Sequence, residues 1–163
     1  MKFWVGITDN RWYNYLALRS AAEVNFWQPS ARRPFTNLPE GTPFLFKLKA
    51  PYNHIAGGGF FTRFTTMPLA TAWNAFGTEN GAESLQAFGR LIETNATTPA
   101  GSNPEIGCSI LTNVFYLPRE RWINMSAVLP RTGIMQGKTF DTDVREHADV
   151  WNQVLEGLRD SAL

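Results

Sequence analysis

The chain is predicted to fold as α+β, with an antiparallel, barrel-like sheet flanked by helices, and three observations lead there. Short β-rich runs recur at Phe3–Ile7, Phe44–Lys49, Ile55–Phe64 and Ile106–Leu117. Helical spacing recurs between and after them, at 11–19, 69–76, 84–93 and 144–158. Glycines Gly57, Gly58 and Gly59 lie inside a strand run, where they suit a bulge, a sharp barrel bend or the close approach of another backbone.

In chain order, Phe3-Trp4-Val5-Gly6-Ile7 is a first strand, and Thr8-Asp9-Asn10 supplies the short polar side chains that cap helices. Trp12, Tyr15, Leu16 and Arg19 then share one face of a short helix. Pro29, Pro34 and Pro39 make 28–41 an irregular extended loop, and the preceding Asn-Phe-Trp segment is read as part of that loop region. The runs at 44–49 and 55–64 are joined by Ala50-Pro51-Tyr52-Asn53-His54, a hairpin-length connection. Thr94–Pro104 is a polar loop, and 106–117 is long enough for one bent strand or a hairpin. Trp122-Ile123 and Ile134-Met135-Gln136 are short strand candidates. Val144, Ala148, Trp151, Val154, Leu155 and Leu158 form one apolar helical stripe that closes the chain.

With 163 residues, 44% hydrophobic and 18% charged, the chain suits one domain over 1–163 with one core. It has no apolar run near the roughly 18 residues of a membrane span, and its start turns polar too soon for a signal peptide, so a soluble, cytoplasmic protein is expected. The net charge is +1, yet residues 1–64 hold eight Lys or Arg against three Asp or Glu. That asymmetry suits one face that attracts polyanions. Cys108 is the single cysteine and sits in a buried-strand pattern, which makes it structural. Neither a metal nor another cofactor is expected, because two histidines and one cysteine do not make a zinc site. No Ser-His-Asp order and no paired carboxylates speak for a small nucleotide-acting hydrolase or transferase. The glycine run does not open a helix, so it does not read as a phosphate loop.

Glu23-Val24-Asn25-Phe26-Trp27-Gln28-Pro29-Ser30 is the stretch richest in recognition chemistry. Rings offer faces for stacking, and side-chain amides offer paired donors and acceptors for the edge of a base. Arg32 and Arg33 lie in the loop that follows and are placed to hold flanking phosphates. Lys47 and Lys49 alternate along one strand and are expected on one face.

The order of these signals resembles the PUA-like superfamily, in particular its EVE and YTH branches. The features are an aromatic first strand, a polar turn and short helix, Asn-Phe-Trp, Leu38-Pro39-Glu40-Gly41 before Phe44-Leu45-Phe46, then Ile55–Phe61. Asn25–Ser30, Pro43–Lys49, Gly57–Phe61, Ala72–Gly77 and Gln136-Gly137-Lys138 further resemble the N-terminal region of bacterial HNH endonucleases that act on modified DNA. Two features depart from these patterns: Thr42 stands where the EVE and YTH pattern has an acidic residue, and no HNH motif is present. The resemblance implies a PUA-like barrel that inserts one base into an aromatic cage, with Trp27 as a wall, Asn25 as the edge contact and Trp73 as a second wall. It also implies polar contacts just after the first strand, at Asp9, and a recurrent Lys138. The implied partner is modified double-stranded DNA, 5-methylcytosine or a related modified cytosine above all. The chain would be a non-catalytic targeting module for an HNH nuclease domain, fused or separate. RNA as the ligand, and a homodimer as the assembly, stay open at this stage.

Overall fold

The computed structural model describes residues 1–126, 128 and 136–162. Its strands are β1 (Lys2–Thr8), β2 (Val24–Gln28), β3 (Pro43–Leu48), β4 (His54–Pro68), β5 (Glu105–Tyr116), β6 (Ile123–Asn124) and β7 (Gly137–Asp141). The helices are α1 (Asn10–Arg19), α2 (Leu69–Phe76), α3 (Leu85–Asn95) and α4 (Arg145–Ala162), with short 3-10 turns at Gly77–Asn80 and Arg119–Arg121. The described strands form one sheet in the order β2-β5-β4-β3-β1-β7, and β6 pairs with the start of β4. None of the described helices is long and apolar enough to cross a membrane.

Three expectations are corrected here. The sheet is mixed rather than wholly antiparallel, because β1 and β3 run parallel from Trp4↔Phe44 to Thr8↔Leu48. It is not a closed barrel, since β2 and β7 are the unjoined ends of the order. It does curl, so that Phe26 of β2 stacks on Phe46 of the non-adjacent β3 at 5.8 Å and 12°. Finally, the Asn-Phe-Trp segment is a strand and not a loop: Val24↔Leu111 through Gln28↔Gly107 is a regular antiparallel ladder with β5. Pro29 ends that ladder, because proline has no N–H to continue it.

The expected hairpin is present as β3 and β4, and 106–117 is one strand, β5. Ile134 and Met135 fall outside the described residues, and β7 begins just after Gln136. The glycine run lies inside β4, where the register slips between Gly58 and Phe60. A Cβ on Gly57 would run into the carbonyl of Phe115, and one on Gly58 would stand 2.7 Å from that of Phe44, so close backbone approach is what the glycines permit.

Strand alternation sorts the core onto two faces of the sheet. Trp4, Phe44, Phe46 and Leu48 join Trp12, Trp27, Phe88 and Ile92 on one face, beneath α1, α2 and α3. Phe3, Val5 and Leu45 join Ile55, Phe140, Val150 and Val154 on the other, beneath α4. Both registers follow from the period of two. Asp9 starts α1 by accepting from the backbone N–H groups of Arg11 and Trp12, at 2.8 and 3.1 Å, and Ser84 starts α3 by accepting from Ala87 at 3.1 Å.

Candidate functional site

Side-by-side β1 and β3 finish at Thr8 and Leu48, and the chain leaves them in different directions, into α1 and into the turn toward β4. The space so opened is a cavity of about 190 Å³ on the aromatic face. Trp4 and Phe44 come to it from the strands, Trp12 from α1, and Phe26 and Trp27 from β2. The rings brace one another: Phe26 lies 4.8 Å from Phe44 and 5.2 Å from Trp12, and Trp12 lies 5.1 Å from Phe46. Such edge-on and tilted pairs fix ring orientation before any ligand arrives.

A polar row crosses the same cavity. The Lys49 ammonium donates to Asn95 Oδ1 at 2.8 Å, and Asn95 Nδ2 donates to Asp9 Oδ2 at 3.1 Å and to the Leu91 carbonyl at 2.8 Å. Burial acts to raise the Asp9 pKa. Hydrogen bonds from Asn95, the Trp12 N–H and Arg11, with the Arg11 charge 3.4 Å away, outweigh it and hold the carboxyl below its ordinary 3.8. Asp9 is therefore an ionised acceptor beside two donors. Gln28 lines the cavity too, its amide N–H₂ donating to the carbonyls of Ser30 and Arg32, which leaves its oxygen free of those bonds.

Five of the residues expected from sequence thus meet at one place: Trp27, Phe26, Gln28, Asp9 and Lys49. Others are elsewhere. Asn25 is fully buried behind the wall, where its Nδ2 donates to Asn80 Oδ1 at 2.9 Å and to Cys108 Sγ at 3.3 Å. Its Oδ1 has no hydrogen-bond partner among the described residues. Burial raises the Cys108 thiol pKa, which suits a structural role. Trp73 packs against Phe88 at 6.3 Å and does not line the cavity. Ser30 borders a neighbouring hollow. Arg32 and Arg33 are exposed on the loop after β2, with the Arg33 guanidinium 5.4 Å from the Phe64 ring. Lys47 and Lys49 do not share a face: Lys49 lies past the end of β3 and enters the cavity, while Lys47 reaches Asn53 at 3.2 Å. Lys138 is exposed on β7.

With Trp12 and Asn95, Asn80 is among the residues that sequence reasoning missed. Its carbonyl accepts from the Trp27 indole N–H at 2.8 Å, its Oδ1 holds Asn25, and its own amide donates to the carbonyls of Ala72 and Gly77 at 3.0 and 2.9 Å. The Asn80 side chain thereby ties α2 to β2, and its main-chain carbonyl holds the Trp27 indole. Its position in Thr78-Glu79-Asn80-Gly81 gives a turn signal and nothing more. Gly81 does carry a requirement: at φ +81° it is left-handed, and a Cβ there would collide with Trp12.

No family model matches the chain, and no curated protein does. Among solved structures it is similar to the crystal structure of ASCH from Zymomonas mobilis, with a TM-score of 0.58, 10% identity, and coverage of 93% of this chain and 94% of that one. Two single-site mutants of the same protein align equally well, at TM-scores of 0.58 and 0.59 and 11% and 10% identity. The mutants cover 92% of this chain, and this chain covers 97% and 95% of theirs. Likeness at that identity is one of fold. The α+β architecture described above is therefore one that this chain shares with that ASCH structure.

Proposed function

We propose that this protein is a nucleic-acid-binding module that reads a single base, taken out of its stack into the aromatic cavity. The observation that carries this is the pairing of fixed rings with an acceptor–donor row in one small space. Aromatic faces return roughly 1 to 3 kcal/mol per stacked base, which offsets the few kcal/mol of unstacking. At about 190 Å³ the cavity is smaller than the roughly 300 Å³ at which drug-sized sites begin, so it suits one ring system rather than a whole nucleotide.

The row favours a base whose edge presents an amine beside ring acceptors. Cytosine has that order, with its N4 amine toward Asp9 and its N3 and O2 acceptors toward the Lys49 ammonium. The long Arg11 contact is the one an incoming amine would displace from Asp9. Modified cytosine in double-stranded DNA is the ligand we favour, with Phe26 and Trp27 as walls and Arg32 and Arg33 near the backbone. Burying one added methyl contributes only about 0.8 kcal/mol, so preference for the modified base must also come from shape. In this reading the module directs an HNH nuclease to modified DNA.

Fluorescence-anisotropy titration at fixed salt tests it, with matched duplexes bearing cytosine, 5-methylcytosine, 5-hydroxymethylcytosine or N6-methyladenine. Tighter binding to one modified cytosine, lost in Phe26→Ala, is expected. Equal, salt-sensitive binding to all four would contradict it, and stronger binding to the matching RNA would transfer the reading to RNA.

A further inference from the structure

Beyond Lys49 the surface changes character. The turn that Lys49 begins is pinned to α1 by Asn10, whose Nδ2 donates to the carbonyls of Lys49 and Ala50 at 3.4 and 3.2 Å and whose Oδ1 accepts from Lys49 N–H at 3.0 Å. Tyr52 closes the turn through its N–H to the Lys49 carbonyl at 3.1 Å. Its ring stands edge-on to Trp122, with centroids 5.8 Å apart at 90°, and both rings are half-buried. Trp122 is anchored by its indole N–H to the Leu117 carbonyl at 3.1 Å. Arg119 lies over both rings, 4.3 Å from Trp122 and 5.1 Å from Tyr52.

The charges here are unequal. Arg121, on the same short turn, is neutralised by Glu156 and Asp160 of α4. Arg119 is exposed and has no ion-pair partner among the described residues. Lys47, whose ammonium reaches Asn53 in the turn that carries Tyr52, adds a second positive charge on the Tyr52 side. Nothing in the proposed base cavity uses Arg119, Trp122 or Tyr52.

We infer that Tyr52, Trp122 and Arg119 form a stacking platform for an unpaired nucleotide of a nucleic-acid strand. The location beside the cavity rests on the base-reader proposal, but the platform itself does not. Fixed rings with a guanidinium supply stacking, and Arg119 supplies charge, which is the combination that holds single strands without regard to sequence. A cation without a carboxylate partner is available to phosphate, which a paired one is not.

The experiment measures anisotropy of a labelled oligothymidylate of about 12 nucleotides, within the roughly 4 to 16 nucleotides of known single-strand sites, against a blunt duplex of equal length. Wild type is expected to bind the single strand more tightly. Tyr52→Leu and Arg119→Gln are each expected to weaken that binding by roughly fivefold or more, with duplex affinity and thermal unfolding little changed. Arg119→Lys, which keeps charge but not the planar group, is expected to recover it only in part. In parallel, binding of the 5-methyldeoxycytidine nucleoside reports the cavity and is expected to be the same in all variants. Unchanged single-strand binding in Tyr52→Leu and Arg119→Gln would overturn the platform, as would full recovery by Arg119→Lys together with an inert Tyr52→Leu. Loss of single-strand binding in the variants of a protein that ignores the nucleoside would leave the platform standing and overturn the base-reader proposal.

Discussion

The two faces of the sheet solve the same burial problem differently. Beneath α4, Phe3, Val5, Leu45, Ile55, Phe140, Val150 and Val154 close on one another, and Phe3 meets Phe140 and Trp151 at 5.4 and 5.6 Å. No fully buried polar side chain among the described residues belongs to that side. On the opposite face the buried polar residues Thr8, Asn25, Asn80 and Ser109 sit among tryptophans and phenylalanines, and the packing leaves a cavity. One face is sealed by aliphatic and aromatic surface alone, and the other by hydrogen bonds that hold rings apart. The difference teaches where a ligand can enter: a cavity persists where rings are pinned by polar anchors and cannot collapse inward.

Substitutions can break or sharpen that contrast. The largest effect on stability is expected from Phe140→Ala on the sealed face, about 3 to 5 kcal/mol by chemical denaturation, with ligand affinity retained wherever the variant remains folded. Asn80→Ala should cost less, about 2 to 4 kcal/mol, because it frees the Ala72 and Gly77 carbonyls and the Asn25 amide. Unlike Phe140→Ala it should weaken base preference, since Asn25 loses its partner and the turn whose Asn80 carbonyl holds the Trp27 indole loses its side-chain ties to Ala72 and Gly77. Equal ligand binding in the two variants would erase the distinction between the faces.

Asp9→Ala removes both the α1 cap and the acceptor of the cavity, costing about 1 kcal/mol. The wild type should carry a matching acid limb: with the folded pKa depressed, the Asp9 contribution is present above 3.8 and is lost as pH falls through the folded value, a limb the variant lacks. At the alkaline end Tyr13 acts in the opposite sense. Burial pushes its pKa up to about 12, with the neighbouring Trp122 working weakly against it, while the unfolded phenol ionises near 10. Stability should therefore fall as pH rises from 10 toward 12, with Tyr116, also raised by burial, adding to the slope. Tyr13→Phe, which forfeits the 2.8 Å bond to the Ala56 carbonyl, should be about 1 kcal/mol less stable at neutral pH and less steep above 10.

Where sequence and structure agree, the signal was local. The first strand, the Asp9 cap, the hairpin of β3 and β4 and the apolar stripe of α4 each follow from spacing within about a dozen residues. Two features were not local. β2 is five residues long and abuts Pro29, so it looked like loop, yet its ladder to β5 joins residues more than 70 positions apart. The parallel pairing of β1 with β3 likewise has no mark in either strand. At the candidate site, Phe26, Trp27 and Gln28 were legible as rings and an amide beside a proline, Asp9 was legible as a cap and as a contact only through the resemblance, and Lys49 was expected on the nucleic-acid backbone rather than in the cavity. Trp12 looked like helix packing and Asn95 like a loop residue, and only the fold brings them to the cavity. Asn25 looked like an edge reader because its partner, Asn80, lies 55 residues away.

The most direct test of the base cavity is the set of tryptophan indole N–H resonances in a ¹⁵N-labelled sample titrated with the 5-methyldeoxycytidine nucleoside. Trp4, Trp12 and Trp27 line the cavity, whereas Trp73, Trp122 and Trp151 do not. Shifts confined to the first three, and absent in Phe26→Ala, are the predicted result. Shifts centred on Trp151 or Trp122, or none on saturation, would contradict a base site on this face.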